Sequence, residues 1–133
     1  MIQEDKDLLF KDLCARLPYG TKCIVTKSRT EEGQKGDVGR IARVCLEGVD
    51  CIDNTVFFSE FGNFKPYLFP LSSMTEEQRQ ELESSMEVTT VPAWGEILSP
   101  TTEYYDWLNK NHFDYRGLIK MGLAIDATGL NIY

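Results

Sequence analysis

The chain has 133 residues, with 21 acidic against 14 basic side chains and one histidine, for a net charge of −7. With 42% hydrophobic and 26% charged residues, it has the composition of a globular domain, which excludes wholesale disorder and low-complexity or collagen-like architecture. The acidic excess opposes the counterion release that drives nucleic-acid binding, and the apolar runs fall far short of the roughly twenty residues a membrane-spanning helix needs.

Residues 4–17 place Leu9, Phe10, Leu13, Cys14 and Leu17 on one helical face, the spacing of an amphipathic α-helix. Glu4, Asp5 and Asp7 lie at the end where the helix dipole favours negative charge, and Arg16 lies at the opposite end. Pro18-Tyr19-Gly20 then turns the chain sharply. Residues 21–27 read as a strand with Cys23 and Val25 on one face, 28–36 as a polar loop, and 39–46 as a second strand with Ala42, Val44 and Leu46 inward. Residues 51–59, around Val56-Phe57-Phe58, read as a third strand, and short connections favour an antiparallel meander.

Residues 61–74 are aromatic and punctuated by Pro66 and Pro70, which predicts an irregular extended segment. Here Phe57, Phe58, Phe61, Phe64, Tyr67 and Phe69 could serve either as core or as an exposed interface. Thr75 and Gln78 form a capping-box signature ahead of a helix over 75–86. Residues 88–100 read as a linker or short edge strand, with 89–100 a candidate sub-boundary in what is otherwise a single domain over 1–133. A helix follows from 101 or 102 to 111, supported by the Asp106–Lys110 pair. Asp114 is expected to cap another short helix that ends at Gly122, before a terminal strand over 123–125. The expected fold is α+β: a small antiparallel sheet of three to five strands flanked by an N-terminal helix, a middle acidic helix and a C-terminal helix pair.

Three stretches, KDLCARLPYG at 11–20, KPYLFPLSSMTEEQ at 65–78 and DWLNKNHFDYRGLIKMGLAIDA at 106–127, resemble a family of uncharacterised proteins of gut Bacteroides-type bacteria and their phages or prophages. The resemblance carries no activity, cofactor or catalytic residue. It implies a bacterial or phage-infected cytoplasm and an accessory role in a mobile element. The position of Asn111 is often a second histidine in that family, so this chain departs from the pattern beside His112.

The remaining chemistry is sparse. Cys14, Cys23, Cys45 and Cys51 are separated by eight, twenty-one and five residues, without the C-x-x-C spacing of a zinc site, and read as buried reduced thiols. His112 with Asp114 has the residue types of a general base and its orienting carboxylate, yet no motif places a nucleophile beside it. No catalytic residue, metal ligand or cofactor is therefore assigned. The acidic start Met1-Ile2-Gln3-Glu4-Asp5 is unlike a signal peptide, and the protein is expected in the cytoplasm. The candidate partner surfaces are Tyr104, Trp107, His112, Tyr115 and Arg116 on the C-terminal elements, and Glu76, Glu77, Glu81 and Glu83 on the acidic helix. Residues 75–87 carry five acids against one base. The leading expectation is a non-catalytic protein-interaction or regulatory accessory, with a protein partner or a second copy of the chain and no direct contact with nucleic acid or membrane. The alternatives are an acidic DNA mimic that blocks a nucleic-acid-binding protein, and an enzyme of unrecognised type.

Overall fold

In the computed structural model, residues 1–27 and 35–133 are described; most of the polar loop expected over 28–36 lies outside them. Helix α1 (Gln3–Arg16) buries Leu9, Asp12, Leu13 and Arg16, an i, i+3, i+4, i+7 stripe. The buried face is thus rotated from the one expected. Cys14 is exposed, and two charged residues take the inward positions by pairing with each other. A short 3-10 turn, Leu17–Tyr19, ends at Gly20, whose φ of +71° is the left-handed conformation glycine adopts freely.

Strands β1 (Lys22–Val25), β2 (Val38–Val44), β3 (Gly48–Asp53), β4 (Thr55–Glu60) and β5 (Phe64–Pro70) form an antiparallel meander in the order β4-β3-β2-β1-β5. The single strand expected over 51–59 is folded in half. Asp53 lies opposite Thr55, and Asn54 between them has φ +59°, a conformation that asparagine tolerates better than most residues. The expected inward alternation of Ala42, Val44 and Leu46 holds for Val44, which packs on the core, and fails for Leu46. A bulge between Ile41 and Arg43 shifts the register, so Ile41 is buried and Leu46 is 75% exposed in the turn beyond the strand.

β5 corrects the reading of 61–74 as irregular. Neither proline interrupts it: Pro66 sits opposite Cys23, and Pro70 opposite Asp114 at the strand's end. Its first half pairs with β1, and its second half takes two short parallel strands, β8 (Phe113–Asp114) and β9 (Ile125–Asp126). The main sheet is therefore mixed and has seven strands among the described residues, more than the three to five expected. Leu68 belongs to the core cluster containing Leu9, Leu13, Ile41 and Phe57, whereas its neighbour Phe69 packs on a second cluster of Leu82, Leu108 and Phe113. Apolar cover on both faces gives β5 a near-continuous hydrophobic run in place of alternation. Phe57, Phe61, Phe64 and Tyr67 are buried, so these aromatics are core.

Helix α2 (Glu76–Glu83) begins with the expected capping box, Gln78 N–H donating to Thr75 Oγ1 at 3.2 Å and Thr75 N–H to Gln78 Oε1 at 2.9 Å. An antiparallel hairpin, β6 (Glu87–Val91) and β7 (Gly95–Ser99), replaces the expected linker. Helix α3 (Thr102–Lys110) follows, capped by Thr101. The second C-terminal helix is absent: left-handed Gly117 and Gly122 leave too few residues between them, and 118–122 is a set of turns. Three α-helices are thus present among the described residues.

One glycine is sterically obligatory. A Cβ on Gly48 would overlap the Ser59 carbonyl oxygen and come within 2.8 Å of Glu60 Cα, both backbone of the paired strand. Gly48→Ala is expected to lower stability by about 2–4 kcal/mol, read as a reduced urea midpoint with an unchanged slope.

Candidate functional site

At the end of α1, Arg16 is fully buried. Its Nε donates to Asp12 Oδ2 at 2.7 Å, and Nη2 donates to Asp12 Oδ1 at 3.2 Å and to the Phe113 carbonyl at 2.7 Å. Asp12 Oδ1 also accepts from Arg116 Nε at 3.1 Å. The ring of Tyr115 lies 5.2 Å from the Arg16 guanidinium carbon and 5.0 Å from that of Arg116, within cation–π range. The Tyr115 hydroxyl donates to Asn109 Oδ1 at 2.9 Å. Two guanidiniums thus share one carboxylate, and Arg16 Nη1 is sealed without a partner among the described residues. Arg116 and Tyr115 form one wall of an open cleft of about 700 Å³, with Lys11, Tyr105, Asp106 and Asn109 on the others.

His112 follows α3 with φ +63°. It is 9% exposed, its ring is stacked on Tyr133 at 3.6 Å and 10°, and its carbonyl accepts from Phe69 N–H at 2.8 Å. Burial, helped by the positive charges of Arg16 and Lys22, pushes its pKa down to about 4, so the ring is neutral at physiological pH. Asp114 does not orient it. That carboxylate accepts from Leu118 N–H at 3.0 Å and Ile119 N–H at 2.9 Å, holding the turn that follows. The Tyr133 hydroxyl donates to the Tyr67 carbonyl at 2.7 Å and accepts from Lys22 N–H at 2.9 Å, and burial raises its pKa.

The structure divides the sequence candidates. Tyr115 and Arg116 meet at the Asp12 network. Tyr104 and Trp107 pack on the second core cluster, Trp107 stacked on Phe113 at 5.7 Å. His112 stands apart, in a separate cleft with Lys110, Gln78 and Thr128. Glu76, Glu77, Glu81 and Glu83 are exposed on α2, and among the described residues their one ion pair is Glu76–Arg79 at 3.8 Å.

Sequence reasoning missed three features. Asp12 and Arg16 lie at i+3 and i+7 from Leu9, on the buried stripe, which was a legible signal. The third is the hairpin. Trp94 in its Pro92-Ala93-Trp94 turn is 78% exposed, and the cross-strand neighbours Val88 and Leu98 are 55% and 54% exposed. At the base of the hairpin, Thr101 Oγ1 donates to the Ser85 carbonyl at 2.5 Å.

Cys23 and Cys51 are buried thiols with sulfurs 2.9 Å apart; the bond to Cys51, with burial, pushes the Cys23 thiol up. Cys14 is exposed and Cys45 half-buried, which corrects the expectation of four buried thiols. Among the described residues no His, Cys, Asp or Glu cluster is arranged to hold a metal, and no helix is long and apolar enough to cross a membrane. No protein-family model, curated protein or solved structure matches the chain.

Asp12→Ala removes the carboxylate and leaves the Arg16 cation buried, for an expected loss of about 3–5 kcal/mol. Replacing the pair together, Asp12→Leu with Arg16→Met, is expected to cost less than that single change in the same denaturant titration. Unfolded His112 protonates near its ordinary 6.5, while the folded residue resists to about 4. Its contribution is therefore present in full above pH 6.5 and is lost as pH falls from 6.5 to 4, by on the order of 1–2 kcal/mol with solvent screening. His112→Asn, which keeps a residue tolerant of positive φ, should flatten stability across that window relative to wild type; an unchanged pH slope would contradict the assignment.

Proposed function

We propose that this protein is a non-catalytic protein-interaction module, an accessory of a phage or mobile element, and that its partner binds the β6–β7 hairpin. The observation that carries the reading is the exposure of Trp94, Val88 and Leu98 on one hairpin. A two-stranded ribbon is marginal in water by itself, and large side chains gain most from being covered. Trp is also the residue type most enriched at energetic centres of interfaces.

Charge selects the class of partner. The hairpin carries Glu87 and Glu96 and no basic residue, and the preceding α2 adds Glu76, Glu77, Glu81 and Glu83 against Arg79. A second copy would bring like charges together, whereas a protein with an apolar patch rimmed by Lys and Arg would complement this surface. The resemblance to proteins of gut Bacteroides-type bacteria and their phages supports a bacterial partner. Asp114 is engaged by the backbone N–H groups of Leu118 and Ile119, so it does not orient His112 as the carboxylate partner of a general base would.

The test is capture from a Bacteroides-type host with wild type, Trp94→Ala and Leu98→Glu, all three verified as folded. The expected result is a stoichiometric basic partner whose binding weakens with salt and falls at least about tenfold, or about 1.4 kcal/mol, in each variant. Equal retention by all three proteins would overturn the proposal, as would a hairpin-dependent homodimer in sedimentation.

A further inference from the structure

The His112 cleft is separate from the hairpin and is built from different elements. It has a volume of about 510 Å³, within the range of small-molecule sites. Its apolar walls are the rings of Phe69, Phe113 and Tyr133, with Phe69 5.9 Å from Tyr133 and 6.1 Å from Phe113 between centroids. Into this aromatic setting the fold places a histidine that is nine-tenths buried and held at a positive φ. A non-glycine residue keeps such a conformation only where its surroundings enforce it.

Ser73, Asn111 and Tyr133 in the cleft have given their side-chain donors to backbone carbonyls, and the free donors lie on other residues. His112 Nδ1 is sealed from solvent and has no hydrogen-bond partner. The ring can donate to a ligand in the tautomer that carries its hydrogen on Nε2, with Nδ1 as the sealed nitrogen. Lys110 is exposed at the rim and makes no hydrogen bond or ion pair among the described residues. Gln78 has committed its Oε1 to the Thr75 N–H, which leaves its amide hydrogens available. The Thr128 hydroxyl is committed to the neighbouring Asp126 carboxylate. Among the described residues none of the lining side chains is a carboxylate or a thiol.

From this geometry we infer that the cleft binds a small aromatic carboxylate, its flat body against Phe69 and Tyr133 and its carboxylate received by Lys110 and His112 Nε2–H. A carboxylate accepts several hydrogen bonds and donates none, matching the free donors of Lys110 and Gln78. Among the described residues Lys110 is the one cation lining the cleft, which compensates one negative charge and leaves a phosphate dianion under-neutralised. The neutral imidazole acts as a donor that positions the ligand.

His112 is the only histidine of the chain, so the imidazole region of a two-bond 1H–15N spectrum reports on this site alone. The ligand-free spectrum should show the Nε2–H tautomer, and benzoate should shift it in a saturable manner in the millimolar range. Benzylamine should leave it unchanged, and Lys110→Gln, a change at an exposed position, should weaken benzoate by about tenfold. An Nδ1–H tautomer, no shift with benzoate, an equal response to benzylamine, or undiminished affinity in Lys110→Gln would each overturn the inference. Tighter binding of phenyl phosphate than of benzoate would overturn the assignment to a monoanion.

Discussion

The buried pairing of Asp12 with Arg16 is the constraint around which the helical side of the molecule is arranged. An isolated guanidinium cannot be buried without several kcal/mol of penalty, and here the compensation comes from three groups in two parts of the chain. Asp12 lies one turn back on α1, the Phe113 carbonyl belongs to β8, and Tyr115 follows it. Because Arg16 requires all three, α1 has a fixed rotation against the sheet and a fixed distance from the C-terminal segment. The same Asp12 carboxylate draws in Arg116, which positions the wall of the larger cleft.

β5 is the second organising element, and it extends this constraint into the sheet. Its antiparallel pairing with β1 closes the meander, while its parallel pairing with β8 and β9 recruits residues far along the chain. His112 lies at this junction. Its carbonyl bonds to Phe69 N–H, so the backbone bond that docks β8 also sets the ring beside Tyr133, whose hydroxyl is fixed by Tyr67 and Lys22. A left-handed histidine and an unpartnered Nδ1 are the local cost of that docking. The hairpin is the opposite case: apart from the Thr101–Ser85 bond at its base, it is held mainly by its own ladder, and its apolar residues remain in water.

Much of the fold was legible because the signals were local. The extent of α1, the turn through Gly20, the Thr75–Gln78 capping box and the Thr101 start of α3 rest on interactions within about four residues, which propensity and capping chemistry encode directly. The errors came where a non-local partner overrode a local signal. The prolines of β5 suggested an irregular segment, but hydrogen bonding from both neighbours sustains a strand. The bulge after Ile41 broke an alternation that looked regular, and Asn54 divided a run that read as continuous. Of the candidate site, Tyr115 and Arg116 were named from their residue types, whereas their partner Asp12 lies about a hundred positions away and was not singled out.

The opening imbalance of charge takes on a different meaning once the positions are known. The sequence alone determined an acidic α+β chain, the sites of its helix caps and the concentration of negative charge on α2, because composition and near-neighbour chemistry do not depend on the rest of the fold. Only the tertiary structure decided which charges are buried, that Phe57, Phe61, Phe64 and Tyr67 are buried, that Trp94 stands in solvent, and that His112 is enclosed at a cleft wall. Those properties follow from desolvation and from contacts between residues distant in sequence, and no local pattern carries them.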